Sequence, residues 1–273
     1  MTTTLPAGTA RRQLLNKVPE VTVFFWVIKI LCTTVGESFA DYVNETLGFG
    51  LTNTTVLFSA GLVAVMVVQF RTRRYVPWVY WLAVVLISVV GTLLTDNLTD
   101  AQGVPLWLSS TVFAVLLAGV FAVWYLRERS LSIHAIDTTA REGWYWLVVL
   151  VTFALGTAVG DWTLELTGWT PGVAILLPAS LLLAVLAGWK LGAGPVMSFW
   201  LAYVLTRPLG ANIGDFLALP GDGGGLGLGT LVTSVVFLAT ILATVVYLTL
   251  TRIDRTEEQV GTTTTARPAG RPD

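Results

Sequence analysis

The chain has 273 residues, of which 54% are hydrophobic and 12% are charged, and its formal net charge is −1. Ordinary soluble domains carry about 25% charged residues, so this composition excludes a water-soluble globular protein and indicates a membrane protein. A single cysteine and a single histidine exclude a disulfide framework, a CxxC site, bis-histidine haem ligation and H-E-x-x-H zinc chemistry.

Eight apolar segments are each long enough to form a helix that crosses a bilayer, which takes about 20 residues. Pro19, Pro77, Pro105, Pro171 and Pro195 lie at or near predicted helix starts, where a missing backbone N–H costs little. The first segment follows a basic stretch, as in a signal peptide, but it takes part in the repeat described below and is predicted to be retained. In chain order the predicted spans are 20–46, 51–70, 76–100, 105–126, 143–167, 171–190, 195–218 and 228–250.

Lysine and arginine residues are segregated along the chain. They occur before the first segment, after the last one and in every second gap between segments, for example in "RTRR" at 71–74, while the alternate gaps contain none. An excess of Lys and Arg marks the cytoplasmic side of a membrane protein, so both termini are predicted to lie in the cytoplasm. The Thr-, Pro- and Gly-rich ends, 1–17 and 253–273, are predicted to be disordered tails around a membrane domain at 18–252.

The odd-numbered segments share the pattern W-x9-G-x4-D without any gap. It occurs as "WVIKILCTTVGESFAD", "WLAVVLISVVGTLLTD", "WLVVLVTFALGTAVGD" and "WLAYVLTRPLGANIGD", which begin at Trp26, Trp81, Trp146 and Trp200. Four matches at three fixed positions predict four tandem copies of one helical hairpin. The copies are placed at about 18–73, 74–129, 142–191 and 193–252.

Each predicted copy crosses the membrane twice, so all four copies enter it in the same orientation. A symmetry axis that relates them would then run along the membrane normal rather than within the membrane plane. The predicted fold class is an all-α integral membrane protein with eight transmembrane helices, arranged as four parallel-oriented helical-hairpin repeats.

These motifs resemble a known family of bacterial membrane proteins. The repeated Trp, Gly and Asp, together with "KVPEVT" and "CTTVGESFADY" of the first copy, are similar to a family of four tandem two-helix repeats of unknown function, described as membrane-anchored proteins. The resemblance covers about residues 17–252. It implies the fold given above and a bacterial inner membrane location, but no activity, so the function has to be argued from the residues.

Polar side chains form stripes along the odd-numbered helices, because residues four apart share one face of a helix. The stripe of the first helix is Lys29, Thr33, Glu37, Asp41 and Glu45. The stripes of the third, fifth and seventh helices are Ser88, Thr92, Asp96, Asp100; Thr157, Asp161, Glu165; and Arg207, Ala211, Asp215, Leu219. Charged groups that face lipid cost about 2.5 to 3.5 kcal/mol each, so the odd helices are predicted to line a polar centre and the uncharged even helices to face lipid.

A ring of four aspartates is the predicted ion-binding site. Hard cations such as Mg²⁺, Ca²⁺ or Mn²⁺ take oxygen ligands, and four carboxylates held together need either a metal ion or bound protons to neutralise them. The ring, which is also the possible metal site, is Asp41, Asp96, Asp161 and Asp215, supported by Glu37, Thr33, Thr92 and Thr157. An acidic mouth nearer the outer surface is formed by Glu45, Asp100 and Glu165.

Other residues of the repeat have predicted supporting roles. Lys29 and Arg207 are the only basic residues deep in the membrane, and we expect them to neutralise acids when the site is empty. Pro208 next to Arg207 predicts a hinge or a broken helix. The repeated tryptophans are interpreted as packing residues or as anchors at the membrane interface. The repeated glycines, Gly36, Gly91, Gly156 and Gly210, allow helices to approach closely or leave space beside the carboxylates.

These features predict a transporter of a small cation, with a divalent metal that exchanges with protons as one form of the hypothesis. The alternative is a membrane scaffold or anchor whose carboxylates are structural, and a minor alternative is an intramembrane aspartyl hydrolase, which needs two facing carboxylates. Apart from the cation, no cofactor is expected. The expected partner is the lipid bilayer, without nucleic acid, and the glycine-rich run "LPGDGGGLGLG" at 219–229 is interpreted as a flexible turn.

Overall fold

The computed structural model describes residues 17–254, and this range is helical without any strand. α1 and α3 each end in one wider turn, at Tyr42–Thr46 and Asn97–Ala101, and α6 is interrupted at Ile175. The helices are α1 (Val23–Thr46), α2 (Leu51–Arg71), α3 (Pro77–Ala101), α4 (Leu106–Glu128), α5 (Thr139–Thr167), α6 (Pro171–Lys190), α7 (Pro195–Ala218) and α8 (Thr230–Thr251). The predicted tails lie, except for residues 17, 253 and 254, outside the described residues.

Seven of the eight described helices are long and apolar enough to cross a membrane. The exception is α7, which has 24 residues but is less apolar because it contains Arg207, Asn212 and Asp215. The predicted spans agree with the observed helices to within a few residues, and the largest difference is that α5 begins at Thr139 instead of residue 143. The composition therefore predicted the helices correctly.

The odd-numbered helices form the centre of the protein. α1 contacts α3, α3 contacts α5, α5 contacts α7, and α7 contacts α1, so the four helices make a closed ring. The even-numbered helices pack around this ring. In α3, 78% of an apolar stretch of 18 residues is buried inside the protein, compared with 11% of the corresponding stretch in α2 and α6. The even helices therefore lie on the outside.

Each even helix packs mainly against the odd helix of the following copy. α2 packs on α3, α4 on α5, α6 on α7, and α8 on α1, whereas α1 and α2 contact each other chiefly at their connecting turn. The closely packed pairs are therefore not the hairpins that the sequence predicted. A short link brings only two helix ends together, and the apolar surfaces along the helices decide which pairs pack over their full length.

Buried polar contacts join the chain at the end of the bundle where the odd helices begin, which we call the basic end. The Lys17 Nζ donates to Glu142 Oε2 at 2.6 Å, and the Gln69 side-chain amide donates to the other oxygen of Glu142 at 2.9 Å. The backbone N–H of Glu20 donates to the carbonyl of Asp254 at 3.0 Å. These contacts fasten the segment before α1 to α2, α5 and the end of α8.

Replacement of Glu142 by alanine should lower the free energy of unfolding by about 3 to 5 kcal/mol, because it leaves the buried Lys17 ammonium without its partner. Glu142 is 2% exposed. Thermal unfolding in detergent measures the effect. The matched control is Glu128→Ala, which removes a more exposed pair with Arg141 and should cost about 0 to 1 kcal/mol. Equal losses in the two variants would show that the Lys17 pair is no stronger than a surface pair.

Candidate functional site

The repeated glycines lie where neighbouring odd helices cross. A Cβ atom added to Gly91 would lie 2.6 Å from the Cβ atom of Phe153 on the next helix of the ring. The other three glycines meet residues at the equivalent position of the next copy. The four contacts are Gly36 with Ser88, Gly91 with Phe153, Gly156 with Arg207, and Gly210 with Thr33. Of the two predicted roles for these glycines, the structure gives them close helix packing, and the contact from the fourth copy to the first is equivalent to the others.

The repeated tryptophans pack in the same cyclic manner. The residue before each tryptophan is aromatic, and its ring contacts the tryptophan of the next copy. The centroid distances are 5.6 Å for Phe25–Trp81, 5.3 Å for Tyr80–Trp146, 6.1 Å for Tyr145–Trp200, and 5.6 Å for Phe199–Trp26. These eight residues, which we call the aromatic layer, fill the ring at its basic end. Since Trp81 and Trp146 are 2% and 4% exposed, the structure places them as packing residues rather than interface anchors.

Arg207 lies at the centre of the ring and is completely buried. Its guanidinium donates to Glu37 Oε2 at 2.6 Å and to the Thr157 hydroxyl at 2.7 Å, and it also donates to the Thr92 hydroxyl. A weaker bond reaches the Thr33 carbonyl at 3.4 Å. Arg207 on α7 therefore binds α1, α3 and α5, and we call these five residues the arginine cluster.

The repeat explains how this cluster forms. Glu37, Thr92 and Thr157 each follow the repeated glycine of their copy, so they lie at the same level of the ring. The fourth copy has Ala211 at this position, and its arginine comes from one helical turn earlier. The Glu37–Arg207 ion pair agrees with the predicted charge-compensating role of Arg207.

Lys29 is also fully buried, but it does not pair with an acid. Its Nζ donates to the Tyr203 carbonyl at 2.6 Å and to the Thr206 hydroxyl at 2.5 Å, and it lies 4.3 Å from the centre of the Tyr203 ring. Among residues 17–254, no carboxylate lies within ion-pair distance of it. The predicted charge-compensating role of Lys29 is therefore wrong for this structure, because α7 offers it a carbonyl, a hydroxyl and an aromatic face instead.

The four repeated aspartates lie one turn beyond the arginine cluster, away from the basic end. Their side chains are half-buried, and no hydrogen bond or ion pair to another described residue holds their carboxylates. Each of the four lies within electrostatic range of Glu37, so they surround a common region. We call this region, formed by Asp41, Asp96, Asp161 and Asp215, the acidic vestibule. Glu45, Asp100 and Glu165 are exposed beyond it, at the acidic end of the bundle.

The acidic vestibule is not a preformed metal site. Within the described part of the chain, no three His, Cys, Asp or Glu side chains gather closely enough to hold a metal ion. The aspartates come from four different helices, whose axes are separated by roughly 8 to 10 Å where helices pack. Helix bundles with the same spacing hold metal ions between facing helices, so the spacing does not decide whether an ion binds, and the divalent-metal form stays a prediction.

The glycine-rich run at 219–229 is an ordered cap on α7. The backbone N–H groups of Leu226 and Leu228 donate to the carbonyls of Phe216 and Leu217 at 2.7 and 3.0 Å. The last carbonyls of a helix lack partners within the helix, and this segment supplies them. The run therefore caps α7, and its predicted flexibility stays a prediction.

Pro208 is accommodated within a continuous helix. α7 runs without interruption from Pro195 to Ala218, and the Pro208 ring packs beside Gly160 of α5. Proline has no N–H to donate to the preceding turn, which weakens the helix locally. The structure therefore contains a weak point in α7 next to Arg207 but no break, and the predicted hinge stays a prediction.

Sequence reasoning missed three buried tyrosines in or beside the aromatic layer, namely Tyr80, Tyr145 and Tyr203. A signal for two of them was present, since the dipeptides that end in the repeated tryptophan read FW, YW, YW and FW and begin at 25, 80, 145 and 199. The buried Lys17–Glu142 pair was also missed, because Lys17 was interpreted only as an orientation signal. No pattern links two charges so far apart in sequence.

The fold and the site together define an all-helical repeat protein with apolar outer helices and a charged centre. The family described as Repeat of Unknown Function (DUF347) matches residues 24–75, 79–130 and 198–254, which is more than half of the chain. The chain belongs to this family, as its motifs indicated. The third copy is outside the matched ranges, although its Trp146 and Gly156 make the same contacts as their equivalents. No curated protein and no solved structure matches the chain.

Proposed function

We propose that this protein transports a small cation across the bacterial inner membrane, with eight membrane crossings and both termini in the cytoplasm. The observation that carries the proposal is the acidic vestibule. Its four carboxylates have no hydrogen-bonded partners among the described residues, and the buried Arg207–Glu37 ion pair lies at its inner end. Ionisable groups within membrane helices are expensive and mark ion pathways in many transporters. The basic end is assigned to the cytoplasm because of its lysine and arginine residues.

The eighth crossing is α7. This helix is the least apolar of the eight, but its charged residues face the other odd helices, where Arg207 binds Glu37 and the threonines. Polar groups that point into a bundle need not meet lipid, so the composition of α7 is compatible with a crossing. With α7 in the membrane, all four copies have the same two-helix form.

The arrangement suits a transporter better than an open channel. A cation that enters the vestibule is attracted by four carboxylates, but it meets the buried Arg207 at the next turn and the aromatic layer beyond it. In this structure the Arg207 guanidinium is hydrogen-bonded to the Glu37 carboxylate. A cation that reaches Glu37 competes with Arg207 for the same carboxylate, and this competition couples ion binding to movement of α7.

A structural role is the second candidate. The arginine cluster links α7 to the other three odd helices through four hydrogen bonds, as expected of a scaffold held together by buried polar contacts. The scaffold hypothesis does not explain the vestibule, where half-buried carboxylates make no contact that would hold the helices together.

Asp161→Asn is expected to abolish cation flux while leaving the protein folded, because the amide keeps the shape of the side chain and removes its charge. Uptake of Na⁺, Mg²⁺, Ca²⁺ and Mn²⁺ into proteoliposomes, with and without an imposed proton gradient, measures the effect. Asp222→Asn is the matched control, since Asp222 is an exposed acid in the cap on α7. Absence of flux in the wild type, together with a lower melting temperature of Asp161→Asn, would support the scaffold instead.

A further inference from the structure

Three tyrosines from three different helices meet inside the bundle at its basic end. Tyr80 on α3, Tyr145 on α5 and Tyr203 on α7 are each completely buried. The hydroxyls of Tyr80 and Tyr145 are 2.5 Å apart. The Tyr203 side chain also lies in hydrogen-bonding range of Tyr145, although its hydroxyl makes no close, well-aligned hydrogen bond in the described part of the chain. Three phenolic hydroxyls are thus buried in the middle of an aromatic core.

Packing does not require two of these hydroxyls. Tyr80 and Tyr145 occupy the position before the repeated tryptophan, and the first and fourth copies have Phe25 and Phe199 there. The phenylalanine rings make the same contact with the next tryptophan as the tyrosine rings do. A buried hydroxyl costs free energy unless it is hydrogen-bonded, so a phenylalanine in each copy would satisfy the packing at lower cost.

The tyrosines continue a line of polar groups that begins below the arginine cluster. Lys29 bonds to Thr206 and lies over the ring of Tyr203, and Arg207 and Cys32 also lie within its electrostatic range. From Tyr203 the line passes to Tyr145 and then to Tyr80, in the first turn of α3.

Beyond Tyr80 the line reaches the basic end of the bundle. The Tyr80 ring packs edge-on against Tyr75 at 5.7 Å, and the Tyr75 hydroxyl donates to an Asp254 carboxylate oxygen at 2.7 Å. Polar groups therefore lie at intervals through the aromatic layer from Lys29 to Asp254, whereas the rest of the layer consists of hydrocarbon and indole rings.

We propose that only protons cross the aromatic layer, and that the hydroxyls of Tyr203, Tyr145 and Tyr80 pass them along, with Lys29 at the inner end of the line. This inference rests on the proposed transport function and assigns the proton as the ion that traverses the basic half of the core. At each step a hydroxyl releases its own proton to the next oxygen as it accepts one from the preceding group, so no charge remains on the phenol. A metal ion finds neither carboxylate nor carbonyl ligands among the packed rings, whereas a proton needs only hydroxyls within hydrogen-bond reach.

The double variant Tyr80→Phe/Tyr145→Phe tests the proposal, because the repeat itself shows that phenylalanine fits at this position. The variant is reconstituted into proteoliposomes, a K⁺ diffusion potential is imposed with valinomycin, and an enclosed pH-sensitive dye reports proton flux. We expect proton flux to fall to the level of protein-free liposomes. Tyr125→Phe is the matched control, since it removes a hydroxyl from a side chain that is 50% exposed on α4.

The outcomes separate this inference from the proposed function. Wild-type proton flux in the double variant would overturn the tyrosine path and leave the cation transporter standing. Flux of a metal cation that is sensitive to Asp161→Asn, without any proton flux in the wild type, would do the same. Absence of flux of every ion in the wild type would overturn both. Equal melting temperatures of the variant and the wild type show that lost flux does not reflect misfolding.

Discussion

Replacement of Arg207 by methionine is expected to lower the free energy of unfolding by about 3 to 5 kcal/mol, because removing one partner of a buried ion pair leaves the other charge uncompensated. Glu37 retains only 9% of its surface exposed, and its Oε2 accepts the arginine at 2.6 Å. The hydroxyls of Thr92 and Thr157 lose the same donor. Methionine keeps an unbranched apolar stem and most of the side-chain volume, so the loss reflects charge and hydrogen bonding more than an empty cavity.

A second variant separates the ion pair from simple packing. Arg207→Met combined with Glu37→Gln removes both charges, and we expect it to recover much of the lost stability, since replacing a complete buried pair by neutral groups is often tolerated. Unfolding in detergent with increasing denaturant, followed by circular dichroism, measures all three proteins. A single variant as stable as the wild type would show that Glu37 is not held by Arg207.

The same pair of variants bears on transport. If Arg207 closes the vestibule by pairing with the Glu37 carboxylate, the folded double variant lacks both of these charges. Its cation flux should then no longer depend on the proton gradient. If the cluster is a scaffold, the double variant regains stability without any effect on flux, because no flux exists to change.

Gly91→Ala is expected to destabilise the protein by about 1 to 3 kcal/mol, the usual cost of inserting an atom into a packed core. The new Cβ atom would lie 2.6 Å from the Phe153 Cβ atom and 3.2 Å from the backbone nitrogen of Ala154. Because one of these atoms belongs to the backbone of α5, the clash cannot be relieved by a side-chain rotation, and α3 must move away from α5.

Gly119→Ala provides the matched control for this substitution. Gly119 lies on α4, and nothing is found within 4 Å of the position of its added Cβ atom. Alanine there is expected to be neutral or to stabilise the helix by up to about 1 kcal/mol, since alanine has the higher helix propensity. The melting temperatures of the two variants should therefore change in opposite directions. Equal changes would mean that Gly91 does not lie at a tight crossing.

The sequence predicted the centre of the protein better than its outside. The spacing from tryptophan to glycine to aspartate is the same in four helices, so the residues at each position had to lie at one level if the helices formed a ring. The stripe spacing likewise predicted that Glu37 lies one turn from Thr33 on the same face of α1, and in the structure Arg207 contacts this face. These relations depend only on the geometry of a helix, which the sequence specifies directly.

The outer helices could not be assigned from the sequence. α2 and α4 are largely apolar on all sides, so no face of either indicates which odd helix it covers, and the predicted hairpins followed the order of the repeat copies along the chain instead. The polar partners of Lys29 were equally hidden, because a carbonyl and the face of a tyrosine ring carry no charge that would single them out. A shared level in a ring of helices does not by itself bring carboxylates within reach of one ion, and no three acidic side chains gather in this way among the described residues, so the metal site stays a prediction.

The contact between α8 and α1 makes the protein a ring that is covalently open at one place and physically closed there. The three other pairs of even and odd helices are joined by a covalent link at the basic end, and the Glu20–Asp254 hydrogen bond lies where the fourth link would be. The order of the helices along the chain is thus one of four equivalent ways to thread the same bundle. A circularly permuted chain, with its present ends joined and new ends between Lys190 and Pro195, would meet the same set of contacts.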